Sequence, residues 1–278
     1  MSDSASAIAV DVGNSAVKIA VDPKTVRSFM HQEAVHQEAV HQETNWIEEA
    51  VRWVTQSLPN RRRVWWISSV NQTALVPLLK AVETLSDAVE IVDAAMVPID
   101  LNVDQPDRVG RDRVLSAFAG SLRSELPCVV VDAGSAVTVD WVDRADSGQT
   151  VFAGGAILPG LRLQLSALSA GTEAIRVQEE ARSVSRTDPF SPGQNTQQAI
   201  RLGAGAAVIG GIDRLIVEYR RHFGFSSDDH TSPSVLITGG DASILSDYLQ
   251  ARHRVIPHLV CLGLLDLAEH FAKPHSGA

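Results

Sequence analysis

Three short stretches of the chain combine acidic, glycine and hydroxyl or basic residues in an order that could handle a phosphate. The apolar run Ile8 to Val12 carries Asp11 near its end and passes into Gly13-Asn14-Ser15; the apolar run Cys128 to Val131 passes into Asp132-Ala133-Gly134-Ser135. A carboxylate at a strand end, followed by glycine and a small hydroxyl residue, lets backbone N–H groups approach phosphate oxygens while the carboxylate holds a cation or its waters. The alternative is that Asp and Gly here only shape β-turns. A third glycine turn, Gly239-Gly240, ends the strand expected at Ser234 to Thr238 and favours the phosphate reading, because two such hairpins facing one cleft suggest a nucleotide. Gly110-Arg111-Asp112-Arg113 opens an expected helix, where unpaired N–H groups attract an anion. Asp112 could simply cap that helix. It could also accept a hydroxyl proton, with the flanking guanidinium forks holding an anionic substrate.

Other signatures fail. The chain has no G-x-x-x-x-G-K-[ST] and no G-x-S-x-G. Gly203-Ala204-Gly205 lacks the last glycine of a dinucleotide fingerprint and falls inside an expected helix, where tight packing explains the glycines better. His31-Gln32-Glu33-Ala34-Val35 repeats at His36 and begins again at His41. Histidines five apart drift by about 140° around a helix and share no face, so the repeat reads as a solvated insertion rather than a metal site. No P-C-x-x-C accompanies it, which excludes a zinc deaminase.

The elements that must position these residues follow from periodicity. Strand, tight turn and strand are expected over Ile8 to Val21, with helices over Asn45 to Ser57, Thr73 to Leu85, Asp112 to Leu122, Thr196 to His222 and Leu259 to Ala272. Buried strands are expected at Val64 to Ile67, Val89 to Val92, Cys128 to Val131 and Ser234 to Thr238, with a polar loop over Ser226 to Pro233. Trp65 and Trp66 read as packing residues. Laid over each other with one gap, Asp132-x-Gly134 falls on Asp11-x-Gly13 and Ser135-Ala136-Val137 on Ser15-Ala16-Val17. The two copies lie 121 residues apart, close to half of the 278-residue chain. That duplication implies two similar α/β lobes, expected at 1–118 and 119–278.

Composition supports a globular protein. Hydrophobic residues make up 45% and charged residues 21%, near globular averages, and 24 Lys and Arg against 33 Asp and Glu give a net charge of −9. That field opposes nonspecific binding to nucleic acid. The two cysteines, Cys128 and Cys261, sit in apolar runs without metal-ligand spacing, and no targeting segment or long apolar stretch is seen. A cytoplasmic protein, with no membrane and no nucleic-acid partner, is expected.

Five motifs in order, Asp11-x-Gly13-Asn14-Ser15-x-x-Lys18, Pro106-x-x-x-Gly110-x-Asp112-Arg113, Asp132-x-Gly134-Ser135-Ala136-x-Thr138-x-Asp140, Gly154-Gly155-x-Ile157-x-Pro159-Gly160 and Gly193-x-Asn195-Thr196, resemble those of type III pantothenate kinases. The resemblance implies an α/β fold of two ribonuclease-H-like lobes, the actin-like ATPase fold, with an interlobe cleft. It implies ATP-dependent phosphorylation of pantothenate to 4′-phosphopantothenate, the first step of coenzyme A biosynthesis, by a homodimer that uses Mg²⁺ and a monovalent cation, K⁺ or NH₄⁺. On the matching positions it implies that the loop Asp11, Val12, Gly13, Asn14, Ser15, Ala16, Val17 and Lys18 meets the nucleotide phosphates, with Asp11 close to Mg²⁺. Ser135 would contact ATP, Asp132 would bind the monovalent cation and Asp112 would be the general base. Gly110, Arg111, Asp112 and Arg113 would line the pantothenate pocket, with Thr196 as a further substrate contact. Val103 stands where the family carries Tyr, and Ser15 and Ser135 where Thr is usual. The alternatives are a non-catalytic nucleotide- or pantothenate-binding regulator on the same fold, a partner-switched ATPase, or a kinase for another small hydroxylated substrate.

Overall fold

A computed structural model describes residues 5–31, 45–172, 191–225 and 232–273. The repeat beyond His31 and positions 226–231 of the expected polar loop lie outside the described residues. The chain gathers into two compact units, one formed by Met1–Pro98, Gln105–Ala119 and His258–Ala278 and the other by Ile99–Asp104 and Gly120–Pro257.

The first unit is built on a five-stranded sheet. β1 (Ser6–Val12) pairs antiparallel with β2 (Ala16–Ala20), and β2 with β3 (Val26–Met30); β4 (Arg63–Ser69) runs parallel to β1, and β5 (Ala88–Ile91) parallel to β4. The order is therefore β3-β2-β1-β4-β5. Strand alternation divides β1 between two faces. Ile8, Val10 and Val12 join a core with Val17 and Ile19 and with Trp46, Ala50 and Val54 of α1 (Asn45–Ser57) and Leu75, Leu78 and Val82 of α2 (Gln72–Glu83). Ala9 and Asp11 point to the other face, against which α7 (Leu259–Ala272) packs. α2 starts where Asn71 accepts a hydrogen bond from Ala74 N at 3.1 Å, an ordinary N-cap. Trp65 is fully buried and donates to Asp87 Oδ2 at 2.9 Å, while Trp66 stacks on Phe271 at 5.8 Å, so both are packing residues.

The second unit repeats the plan. β7 (Cys128–Ala133) pairs antiparallel with β8 (Ala136–Arg144) and β8 with β9 (Thr150–Pro159); β10 (Ser234–Thr238) is parallel to β7 and β11 (Arg254–Val255) parallel to β10. With the two-residue β6 (Asp100–Leu101) added beside β9, the order is β11-β10-β7-β8-β9-β6. Read outward from the first hairpin, both sheets have the third, second, first, fourth and fifth strands in the same sequence, which is the duplication seen in the motifs. The core sets Val129, Val131, Val137, Val139 and Trp141 against Val208, Ile212 and Ile216 of α5 (Thr196–His222) and Leu161 and Leu165 of α4 (Leu161–Gly171). Trp141 is closed in by Phe223, stacked at 4.3 Å.

Two differences from the sequence reading stand out. A single cut at 118/119 would leave the last helix with the second half, but α7 belongs to the first unit. Its nearly continuous apolar run, Leu259 to Leu264 with Leu267 and Ala268, is buried, and Gly263 approaches the Leu115 carbonyl so closely that a Cβ there would collide with it. The glycines Gly203 and Gly205 are not sites of tight packing: a Cβ on either would meet nothing within 4 Å. Of the α5 glycines only Gly211 is crowded, with Leu158 2.7 Å from where its Cβ would be.

Candidate active site

In the first unit β1 delivers Asp11 to the rim of the sheet and turns through Gly13, Asn14 and Ser15 into β2. Gly13 N donates to Ala16 O at 3.1 Å, closing the turn. His31, which follows β3, holds the turn from outside: its N–H donates to Ser15 O at 3.3 Å and its Nε2 lies 2.9 Å from Gly13 O. The ring leans on Trp46, centroids 5.8 Å apart. The first histidine of the repeat is thus part of the turn's support rather than of a solvated insertion. Asn14 is exposed at the tip, and Val12 and Val17 are core residues, so they can offer a ligand only their main chain.

Asp11 and Lys18 are register partners across the hairpin and form an ion pair at 3.5 Å. Burial pushes the Asp11 carboxyl above the ordinary carboxylate range; Lys18 opposes that shift and the charge of nearby Asp112 adds to it. The pair sits under α7, where Cys261 Sγ lies 3.7 Å from Lys18 O. His258, at the start of α7 with φ of 58°, is pushed down by burial and then by Lys18. Ser68 stands in register beside Asp11 on β4, and its buried hydroxyl has no hydrogen-bond partner.

Asp112 occupies the first turn of α3 (Arg111–Ser121), where its Oδ1 accepts from Arg113 N at 2.9 Å. Gly110 makes room for it, since a Cβ there would lie 2.5 Å from that oxygen. Arg111 is engaged by the scaffold, with Nη1 3.4 Å from Ser69 O and Nη2 3.5 Å from Asp93 Oδ2. The first unit therefore brings together Asp11, Lys18 and Asp112, with Arg111 tied to the end of β4.

Asp132, Ser135 and Thr196 belong to the second unit. Asp132, next to last in β7, is in register with Thr138 on β8 and Thr238 on β10, so two buried threonines stand on either side of it. The turn Gly134-Ser135 is one residue shorter than its counterpart, which accounts for the gap between the two motifs. Gly134 N donates to Ala136 O, and Gly160 N, following β9, donates to Ser135 O, each at 3.0 Å. Gly239, at φ 100°, lies against the backbone of Ala133, and Asp241 N reaches Ala133 O at 2.9 Å. Burial raises the Asp241 carboxyl, and Arg162 counters part of that. Thr196 is exposed at the first turn of α5, behind the N-cap Asn195, which accepts from Gln198 N at 2.9 Å. Val103 lies 3.7 Å from where a Cβ on Gly154 would be.

Among the described residues no group of three or more His, Cys, Asp or Glu side chains could hold a metal ion by itself. Mg²⁺ is commonly held through one or two carboxylates plus substrate phosphates. Asp11, with the unsatisfied Ser68 hydroxyl beside it, has the chemistry for such a place. His31 and Ser68 were not readable as site residues, and Ser68 reaches Asp11 only through parallel pairing of strands far apart in the chain; Thr138 stands in the third motif and Thr238 beside Gly239-Gly240, without a role read for either.

Paired lobes of equal strand order, each opening with a hairpin whose first strand ends in Asp-x-Gly, define the actin-like ATPase fold with ribonuclease-H-like lobes. The fold is shared with a Campylobacter jejuni protein described as a Baf family transcriptional activator (TM-score 0.56, 20% identity, 95% of this chain and 98% of that one). It is shared too with a chain of the PilM–PilN type IV pilus biogenesis complex (TM-score 0.50, 13% identity, 97% and 99%). Residues 7–218 match the type III pantothenate kinase profile, and the chain belongs to that family. A type III pantothenate kinase of Rhodopirellula baltica is 40% identical over 209 residues, 73% of this chain and 71% of that protein. One of Synechococcus sp. strain JA-3-3Ab is 32% identical over 207 residues, 72% and 73%.

Proposed function

We propose that the chain transfers the terminal phosphoryl group of ATP to the primary hydroxyl of pantothenate, giving 4′-phosphopantothenate and ADP. The observation that carries this reading is the pair of buried Asp11 and half-buried Lys18, with Asp112 close enough to shift the Asp11 carboxyl, in a chain of this family. Phosphoryl transfer needs in-line positioning and compensation of charge rather than covalent catalysis. The N–H groups of Asn14 and Ser15 at the tip of the turn and the Lys18 ammonium hold phosphate oxygens. Asp112 accepts the hydroxyl proton as that oxygen attacks the γ-phosphorus and the β–γ bridging oxygen departs with ADP. Arg113 pairs with the pantothenate carboxylate, and Gly110, Arg111 and Thr196 complete the substrate contacts. Asp11 would hold Mg²⁺, which offsets charge on the phosphates.

In the second unit Ser135 contacts ATP and Asp132 holds a monovalent cation, K⁺ or NH₄⁺; the flanking hydroxyls of Thr138 and Thr238 support that assignment. The enzyme works in the cytoplasm as a homodimer, and the exposed small-residue stretch Gly203, Ala206, Ala207 and Gly210 of α5 supports a close helix contact between copies. The test is formation of 4′-phosphopantothenate by the purified chain with ATP and Mg²⁺, in parallel buffers containing K⁺ or only Na⁺. Product that depends on K⁺ is expected. No product in any buffer from folded protein would overturn the assignment.

A further inference from the structure

A cavity of about 750 Å³ in the second unit plays no part in the reaction described above. It is lined by Arg123 and Ser124 before β7, Arg220 near the end of α5, the start of β10, and Arg252 and Arg254 before and in β11. Because β7, β10 and β11 are parallel, their N-terminal ends lie together, and the cavity sits at that edge of the sheet. Asp132 and Gly239 lie at the opposite edge, a strand length of about 20 Å away.

Its charge runs against that of the chain. Four arginines and one carboxylate residue, Glu125, line it in a protein of net charge −9. Arg220 Nη2 donates to Pro233 O at 3.3 Å and Arg254 Nη2 to Arg123 O, while behind the wall Arg220 Nε and Ser124 Oγ are buried with no hydrogen-bond partner. Burial already pushes the Arg220 guanidinium below its ordinary range. Groups of this kind are unfavourable to leave unsatisfied. Pro233, Val235 and Leu236 add an apolar wall, and the volume is in the range of small-molecule sites.

We propose that this cavity binds a small organic phosphate, one with a diphosphate or two phosphoryl groups beside an apolar part. Guanidinium forks match phosphate oxygens in pairs. The excess of three positive charges suits a diphosphate better than a single carboxylate.

The test is titration calorimetry of the full chain with inorganic pyrophosphate, the proposed catalytic site being filled with a non-hydrolysable ATP analogue and pantothenate. Binding is read without turnover, so its outcome is separate from that of the proposed reaction. Saturable binding of one equivalent is expected, weakened about tenfold or more by Arg252→Gln. Arg252 is exposed, so its replacement leaves the fold intact. Arg61→Gln, an exposed arginine of the first unit, should leave the affinity unchanged. Citrate as a second titrant separates phosphate recognition from general anion binding and should bind more weakly. The proposal is overturned by absence of saturable binding, by an affinity that Arg252→Gln does not change, by an equal loss in Arg61→Gln, or by tighter binding of citrate.

Discussion

Replacing Gly239 by alanine isolates a single contact on which the second unit's candidate site rests. Gly239 has φ of 100°, and a Cβ there would lie 2.6 Å from Ala133 N and nearer still to its carbonyl. Those are main-chain atoms of the central strand, so no side chain can swing aside. An unfavourable backbone region costs about 1–3 kcal/mol, and forcing a methyl group into filled space costs about 1–3 kcal/mol more. A total near 4 kcal/mol follows. The second unit has about 140 residues, and an unfolding entropy of about 2.1 cal/mol/K per residue turns that loss into a fall in Tm of roughly 13 °C. Gly240→Ala is the matched control: nothing lies within 4 Å of its Cβ position and its φ is not in the restricted range, so a shift under about 2 °C is expected. Thermal melts followed by circular dichroism decide the matter. If Gly239→Ala melts within 3 °C of the parent, or if Gly240→Ala falls as far, the argument from close approach is wrong.

Asp112→Asn should lower turnover by about a hundredfold or more while leaving the melting curve in place, as expected for loss of a general base; near-parental turnover would remove that role. For Asp132→Ala the expected result is loss of K⁺ stimulation, read as the ratio of rates in K⁺ and Na⁺ buffers, and a ratio equal to the parent's would refute the cation assignment. Asp11→Asn should abolish activity yet stabilise the fold in a pH-dependent way. Because the folded carboxyl is raised above its unfolded value, its favourable contribution is present below the ordinary carboxylate range and is lost as pH rises through the folded value. The variant's Tm advantage over the parent should therefore be larger at pH 7.5 than at pH 4, and an advantage independent of pH would contradict the burial argument.

Long amphipathic or buried elements were legible from spacing alone. α1, α5 and α7 run over the residues that periodicity marks, and β7 and β10 follow their apolar runs. β3, β9 and α4 were not legible. β3 buries only Phe29 fully, too little for an alternating signal. β9 carries Gly154-Gly155, which reads as a turn. The strand needs glycine there because Gly155 is the register partner of Asp140, and a Cβ would collide with that residue. α4 buries only Leu161 and Leu165, so half of its surface carries no pattern. In the candidate site the three aspartates were readable because each stands beside a local glycine. The Ser68 hydroxyl beside Asp11 was not, since pairing of distant strands rather than sequence proximity puts it there.

The histidine that braces the Gly13–Ser15 turn is also the first residue of a tandem pentapeptide. Tandem repeats gain and lose whole units by slippage during copying, and here the unit boundary coincides with the brace. Loss of one unit brings His36 directly after Met30, followed again by Gln and Glu; gain of a unit leaves the same junction. A length change in the repeat therefore places a histidine at the same position after β3.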